Sequence, residues 1–413
     1  MKNILGLTLG VMTALGGFVD LSQIVFTMQA GALFGYGLMW AILFGTVGII
    51  LYMEMCGRVA AVSHQAVFAV VRTTLGDRLG LFTLIASNLL NLLTCTAELG
   101  AIGIILHLLT GWPARLVLVL GTLLIGAIVW AFKFEWIERT FGLWGLMMIV
   151  FAVVALKLHP DWPAMATHLI PQPPPAANVS NGTTLYAFFA VGIFSALLME
   201  YEVQFYSSGA IEEHWDAAAL SQNTFVAVVG TALGSLVTVA LLVVGAKVFL
   251  PRGIFPDLLS STALPVLGPF GHVALLIALL GMLATISSAA VETAMCVGYN
   301  TCQFYKLKWD KNVPQREVPI FTGLWVGALL LSLVIALTGI EPLKLVDYSI
   351  ILGMVLMPLT YYPILKAARD PAQLGKHVTG TVQHRVAWVF LIAIVIAAVV
   401  AVPLMIVTKM GKP

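Results

Sequence analysis

Five carboxylates stand inside long apolar stretches of this sequence: Asp20, Glu98, Glu200, Glu202 and Glu292. A carboxylate at the centre of a membrane-length helix costs roughly 2.5–3.5 kcal/mol on the insertion scale, so each is a candidate for binding or relay. Asp20 and Gln23 lie three residues apart and share one helical face, and Met199 and Glu202 repeat that spacing. Glu200 and Glu202 would point to nearly opposite faces of an intact helix, so both serve one site only where the helix unwinds. Unwinding would also free main-chain carbonyls near Gly17 and Ala196 as hard oxygen ligands. Carboxylate, amide and carbonyl oxygens suit Mg²⁺, Ca²⁺ or Mn²⁺, and the thioether of Met199 favours softer metals. Two anionic groups close together need a cation or a shared proton. The set therefore fits a divalent cation better than an anion or a neutral solute.

Plainer roles stand beside these: Asp20 as the cap of a broken helix, Met199 as packing, Glu200 or Glu202 as helix-end partners, Glu98 as a structural hydrogen-bonding residue. Glu292 is expected outside the first ring of ligands, bonded to the Ser287/Ser288 turn. No histidine falls at the centre of an apolar stretch. Cys56, Cys95, Cys296 and Cys302 lack metal-site spacing and read as buried free thiols.

These residues need a membrane protein to hold them. Of 413 residues, 60% are hydrophobic and 10% charged, against about 25% charged in a soluble domain; the mean hydropathy is +0.99. A soluble globule is excluded, and the net charge of +2 implies no nucleic-acid partner. The partner is the lipid bilayer. Apolar runs near the ~20 residues of a hydrocarbon crossing recur throughout, and being apolar all round they predict helices rather than barrel strands. Eleven spans are expected, at 4–27, 33–55, 80–108, 114–131, 141–156, 184–207, 219–248, 266–301, 320–340, 345–365 and 386–407. The first could pass for a signal peptide, but its apolar run continues past Asp20 without a convincing cleavage site. The stretch 65–75 is too short and mixed to cross and is assigned to the interface. The sequons at Asn178 and Asn181 read as chance in a polar loop. Fourteen Lys and Arg fall on one side of this topology and seven on the other, placing the amino terminus in the cytoplasm.

The polar breaks around Asp20 and Met199 lie about 180 residues apart with five spans from one to the next. That pattern predicts an inverted repeat with its binding site at the midplane. One transporter domain is expected over 1–413, with a first repeat at 1–157, a second at 184–366 and an extra helix at 386–408.

Asp20-Leu-Ser-Gln23, Gln29-Ala-Gly-Ala-Leu-Phe-Gly-Tyr36 and Leu38-Met-Trp40 resemble the DPGN, QAG, FGY and LLW of the natural resistance-associated macrophage protein (NRAMP) divalent-metal transporters. Arg58, Thr94-Cys-Thr-Ala-Glu98 and Ser287-Ser288 are similar to the family's second-span arginine, third-span TDLAE and eighth-span QSS. The resemblance implies an all-α integral membrane fold of the leucine-transporter type, with helices 1 and 6 broken. It gives Asp20 the role of the metal-binding aspartate, Gln23 that of the asparagine and Met199 that of the methionine. The sequence departs from the family where Glu200 and Tyr201 replace the proline and histidine of MPH. Cys95 replaces the aspartate of the proton route, and an apolar residue near Ile350 replaces the tenth-span amide. It looks like a divergent branch, similar to the NRAMP-related magnesium transporters.

The expected function is transport of Mn²⁺ and/or Mg²⁺ by alternating access, in the cell membrane, with no chemistry on the substrate and no cofactor. Metal ligands are expected from Asp20, Gln23, Met199, Glu200, Glu202 and the carbonyls of Gly17 and Ala196; Glu98, Glu292 and Tyr201 are candidates for an outer or proton-handling role. The alternatives are transport of an organic cation or amino acid on the same fold, and a non-transporting metal sensor.

Overall fold

The computed structural model describes residues 19–172 and 182–412. Among the described residues there is no strand, and ten helical segments are long and apolar enough to cross a membrane. A shorter apolar helix, Leu21–Phe34 (α1), precedes them. Gly17, the first half of the expected first span and the asparagines of both sequons lie outside the described residues.

α1 starts where it does because Asp20 caps it: the backbone of Asp20 is extended and its carboxylate accepts the amide of Gln23. That satisfies one of the orphan donors at a helix start. The chain then runs through Met39–Ser63 (α2), Val67–Thr110 (α3), Ala114–Ala131 (α4) and Phe134–Gly145 (α5). A 3₁₀ turn joins α5 to Ile149–Lys157 (α6), and Trp162–Thr167 (α7) is a short loop helix. The sixth span is two helices, Gly182–Leu198 (α8) and Glu200–Glu212 (α9), separated at Met199, whose φ 12 and ψ 96 are not helical. Leu220–Val244 (α10), Leu259–Ala263 (α11), Leu267–Tyr305 (α12), Pro319–Leu337 (α13) and Pro342–Ala367 (α14) follow. Pro371–Leu374 (α15) leads into the last span, Thr381–Val407 (α16).

The two halves carry matching bends. α3 turns at Gly76 (φ 77, ψ 176) and α12 at Gly271 (φ 70, ψ −162), a region open in practice only to glycine. A Cβ at either would meet nothing within 4 Å, so the backbone angle and not crowding demands glycine. Each bend sets a short arm before the third helix of its half. The stretch assigned to the interface from sequence, 65–75, is helical from Val67 onward with Val67, Phe68, Val70 and Val71 buried, and Arg72 Nη1 donates to the Phe304 carbonyl at 2.6 Å.

α1 sits at the centre. Its Gly31 faces Gly245 so closely that a Cβ on Gly31 would lie 2.3 Å from the Leu242 carbonyl oxygen. On its other side Phe26 stacks over Gly192 and against Phe189, ring centroids 4.5 Å apart. In the most apolar window of the sixth span 72% of residues are buried, against 28% in the last helix, which identifies α8 and α9 as core elements and α16 as a lipid-facing one.

Candidate functional site

The break at Met199 and the start of α1 at Asp20 face one another. A helix end leaves its last carbonyls without intrahelical donors, and the turn at Met199 frees those of α8 in the middle of the molecule. The Ala196 carbonyl accepts Gln23 Nε2 at 3.2 Å, and the same amide nitrogen lies 3.8 Å from Met199 Sδ. Gln23 is held in that direction by Thr238 of α10, which donates to its Oε1 at 3.2 Å. Asp20 accepts from the Gln23 amide at 2.9 Å and from the Ser22 hydroxyl through Oδ1, and from the Tyr201 hydroxyl through Oδ2 at 3.1 Å. Tyr201 also reaches Met199 Sδ, at 3.3 Å.

Asp20, Ser22, Ala196, Met199, Glu200 and Tyr201 border a cavity of about 40 Å³, together with Ser195, Ser349 and Ile350; Gln23, expected among the ligands, stands behind Asp20 and does not line it. A single water needs about 10–15 Å³ by this measure, so the cavity has room for an ion with a few waters. Among the described residues no three His, Cys, Asp or Glu side chains are placed to hold a metal together. Any cation bound here meets a mixed set: carboxylate, carbonyl, amide and thioether. The N-terminal ends of α1 and α9 point their positive ends at Asp20 and Glu200, while the carbonyl end of α8 offers negative charge to a cation.

All five deep carboxylates are buried, none more than 6% exposed, but they do not share one site. Asp20 and Glu200 line the cavity. Glu98, on α3, accepts the Leu21 amide at 3.3 Å and caps α1 beside Asp20. Glu202 does not line the cavity, in contrast to the expectation that it would supply a ligand oxygen. The cause is that the chain unwinds only at Met199: α9 is regular from Glu200 onward, so Glu200 and Glu202 keep the opposed directions of an intact helix. Glu202 instead lies beside Glu292 of α12. Ser288 donates to Glu292 Oε1 at 2.8 Å, the outer placement expected for that residue.

Three orienting residues were not singled out from the sequence. Ser22 holds Asp20 and Thr238 holds Gln23, while Ser195 donates to the Ile350 carbonyl at 2.5 Å. Ser22 stood inside the first polar break and could have been named; Thr238 is one hydroxyl in an apolar span and gave no signal.

Known proteins resemble this chain in sequence and in fold. A family model described as "Natural resistance-associated macrophage protein-like" matches residues 10–403. The divalent metal cation transporter MntH of Deinococcus radiodurans is 23% identical over 400 residues, covering 92% of this chain and 85% of that protein. MntH of Acidiphilium cryptum is 28% identical over 297 residues, 67% of this chain and 64% of that one. Among solved structures, the manganese transporter of Eremococcus coleocola superposes with a TM-score of 0.77 at 18% identity, covering 96% of this chain and 86% of that one. MhsT in complex with L-phenylalanine superposes with a TM-score of 0.64 at 14% identity, covering 94% and 98%. At these identities the structures speak for the fold alone: an all-helical membrane protein of the leucine-transporter type, its two halves inverted repeats with helices 1 and 6 broken. With the family model spanning nearly its whole length, the chain belongs to the natural resistance-associated macrophage protein-like (Nramp) family.

Proposed function

We propose that this multi-pass membrane protein carries a divalent metal cation, Mn²⁺ and/or Mg²⁺, across the cell membrane by alternating access. One observation carries the reading: the Asp20 carboxylate, the Ala196 carbonyl and the Met199 thioether meet at one small cavity between two helix breaks. Asp20 supplies the charge, Gln23 and the Ala196 carbonyl supply neutral oxygen, and Met199 supplies a soft contact; Gln23 must turn its amide oxygen inward to ligate. The names of the MntH relatives support a divalent cation as cargo, ahead of an organic cation or amino acid.

The first and second repeats take 1–157 and 184–366, with 386–408 as the extra helix, and the amino terminus lies in the cytoplasm. Metal moves downhill without obligatory proton movement. Cys95, standing at the proton-route aspartate, bonds the Ala290 carbonyl at 3.6 Å, and Glu98 is engaged in capping α1. Liposomes holding the purified chain and a pH-sensitive dye test both parts. Mn²⁺ influx under an imposed gradient, competed by Mg²⁺ and unaccompanied by acidification, is expected. Absence of flux would sink the transport reading and favour a sensor; metal-dependent acidification lost on Glu98→Gln would sink the uncoupled one.

A further inference from the structure

A buried polar ladder leaves the central cavity along one face of α9. Glu200, Gln204 and Ser208 follow one another at four-residue intervals, about 6 Å per step at helical rise. Each rung is met by polar side chains of α3 and α12. Ser87 donates to Glu200 Oε1 at 2.6 Å, and Gln204 Nε2 donates to the same oxygen at 2.8 Å. Asn91 and Asn300 both donate to Gln204 Oε1, at 3.4 and 2.7 Å. Gln303 donates to Ser208 Oγ at 2.8 Å. None of these residues is more than 4% exposed.

The carboxylate at the top fixes the direction of every amide below it. A carboxylate oxygen accepts, so Gln204 must turn its NH₂ toward Glu200, and its own oxygen then takes the amide hydrogens of Asn91 and Asn300. That order leaves Asn300 Oδ1 buried without a donor, and Glu200 Oε2 makes no hydrogen bond although the Thr360 hydroxyl lies near it. A ladder that served only to hold three helices together would pair its acceptors, because each one left unpaired costs about 1–3 kcal/mol. Surplus oxygens on a carboxylate and an amide, beginning at the wall of a cation-sized cavity, make a ligand set for a hard cation.

We propose that Glu200, Gln204 and Asn300 form a second cation station, which receives the divalent ion from Asp20 and passes it along α9 toward Glu212. This rests on the reading of the central cavity as a divalent-cation site. Glu200 brings the charge, the amide oxygens replace part of the ion's hydration shell, and water fills the remaining positions. Its three ligand groups are all oxygen, so the station handles Mg²⁺ as readily as Mn²⁺.

Mn²⁺ binding to the purified full-length chain in detergent, read from loss of the free-ion paramagnetic resonance signal, tests the station. Asp20→Ala is expected to keep a weaker Mn²⁺ site. Adding Asn300→Leu should weaken that residual site at least about tenfold, and adding Gln204→Glu instead should tighten it about tenfold. The second arm decides the matter if the first does not fold. Wild-type binding that vanishes wholly in Asp20→Ala, or residual binding that Gln204→Glu leaves unmoved, overturns the second station and leaves the first site standing. A wild-type chain that binds no Mn²⁺ at all overturns the reading of the central cavity and the station with it.

Discussion

Tyr201 meets Asp20 across the two helix breaks, its hydroxyl donating to Oδ2 at 3.1 Å. The phenol therefore occupies a carboxylate oxygen that faces the cavity, and an entering cation must displace it or share that oxygen. A hydrogen bond to a charged group contributes about 1.5–3 kcal/mol. Tyr201→Phe should accordingly raise Mn²⁺ affinity about tenfold, measured by calorimetric titration. A fall in affinity instead would make the Tyr201 oxygen a ligand.

Met199 Sδ lies within reach of both Gln23 and Tyr201, at the one residue outside the helices of the sixth span. Thioether sulfur discriminates by softness. Met199→Ala should cost Cd²⁺ at least about tenfold more affinity than it costs Mg²⁺, in competition titrations on the purified chain. Equal losses for the two metals would reduce Met199 to packing.

Glu54 of α2 ties the last helix to the core. It accepts from Arg58 Nε and Nη2 at 3.0 and 2.5 Å and from the Gln383 amide of α16, while Arg58 Nη1 donates to the His377 carbonyl at 3.0 Å. Breaking a buried pair by removing one partner costs about 3–5 kcal/mol. Glu54→Ala should therefore lower the unfolding temperature in detergent clearly. Arg58→Lys should lower it less, since a lysine keeps the charge but not the fork. An unchanged melting curve for Glu54→Ala would remove this junction from the account.

How much of this the sequence disclosed depends on the range of the interaction. Apolar runs located the spans, because a hydrocarbon crossing is a local demand on about 20 consecutive residues. The polar residues beside Asp20 and Met199 located the start of α1 and the break in the sixth span for the same reason. Gly76 and Gly271 were not legible as bends: a glycine in an apolar run is equally at home as a close contact, and only the backbone angles tell the two apart. The partner of Glu202 was also hidden, since Glu292 stands 90 residues away on another helix. Glu200, Gln204 and Ser208 were readable as a polar stripe, but its counterparts on α3 and α12 could be matched to it only by packing.

Gly31 and Gly245 separate these two uses of glycine. A Cβ on Gly31 would lie 2.3 Å from the Leu242 carbonyl oxygen, and one on Gly245 would lie 2.3 Å from that of Met28. Either alanine must push α1 away from the end of α10 and the π-helical turn 245–249 that follows it, and carry Gln23 off Thr238. Gly31→Ala should lose Mn²⁺ uptake even where size exclusion shows folded protein. Gly76→Ala has open space around it and should keep uptake at a stability cost of about 1–3 kcal/mol. Full uptake by Gly31→Ala would refute the close approach of the two helices.

The central claim is that the cargo ion sits between the two helix breaks. Anomalous scattering from crystals soaked in Mn²⁺ reads the position of the ion directly. The account predicts a peak about 2.0–2.6 Å from an Asp20 carboxylate oxygen and the Ala196 carbonyl, on the Met199 side of the cavity and absent from Asp20→Ala crystals. A peak elsewhere that survives Asp20→Ala, with none in this cavity, would contradict it.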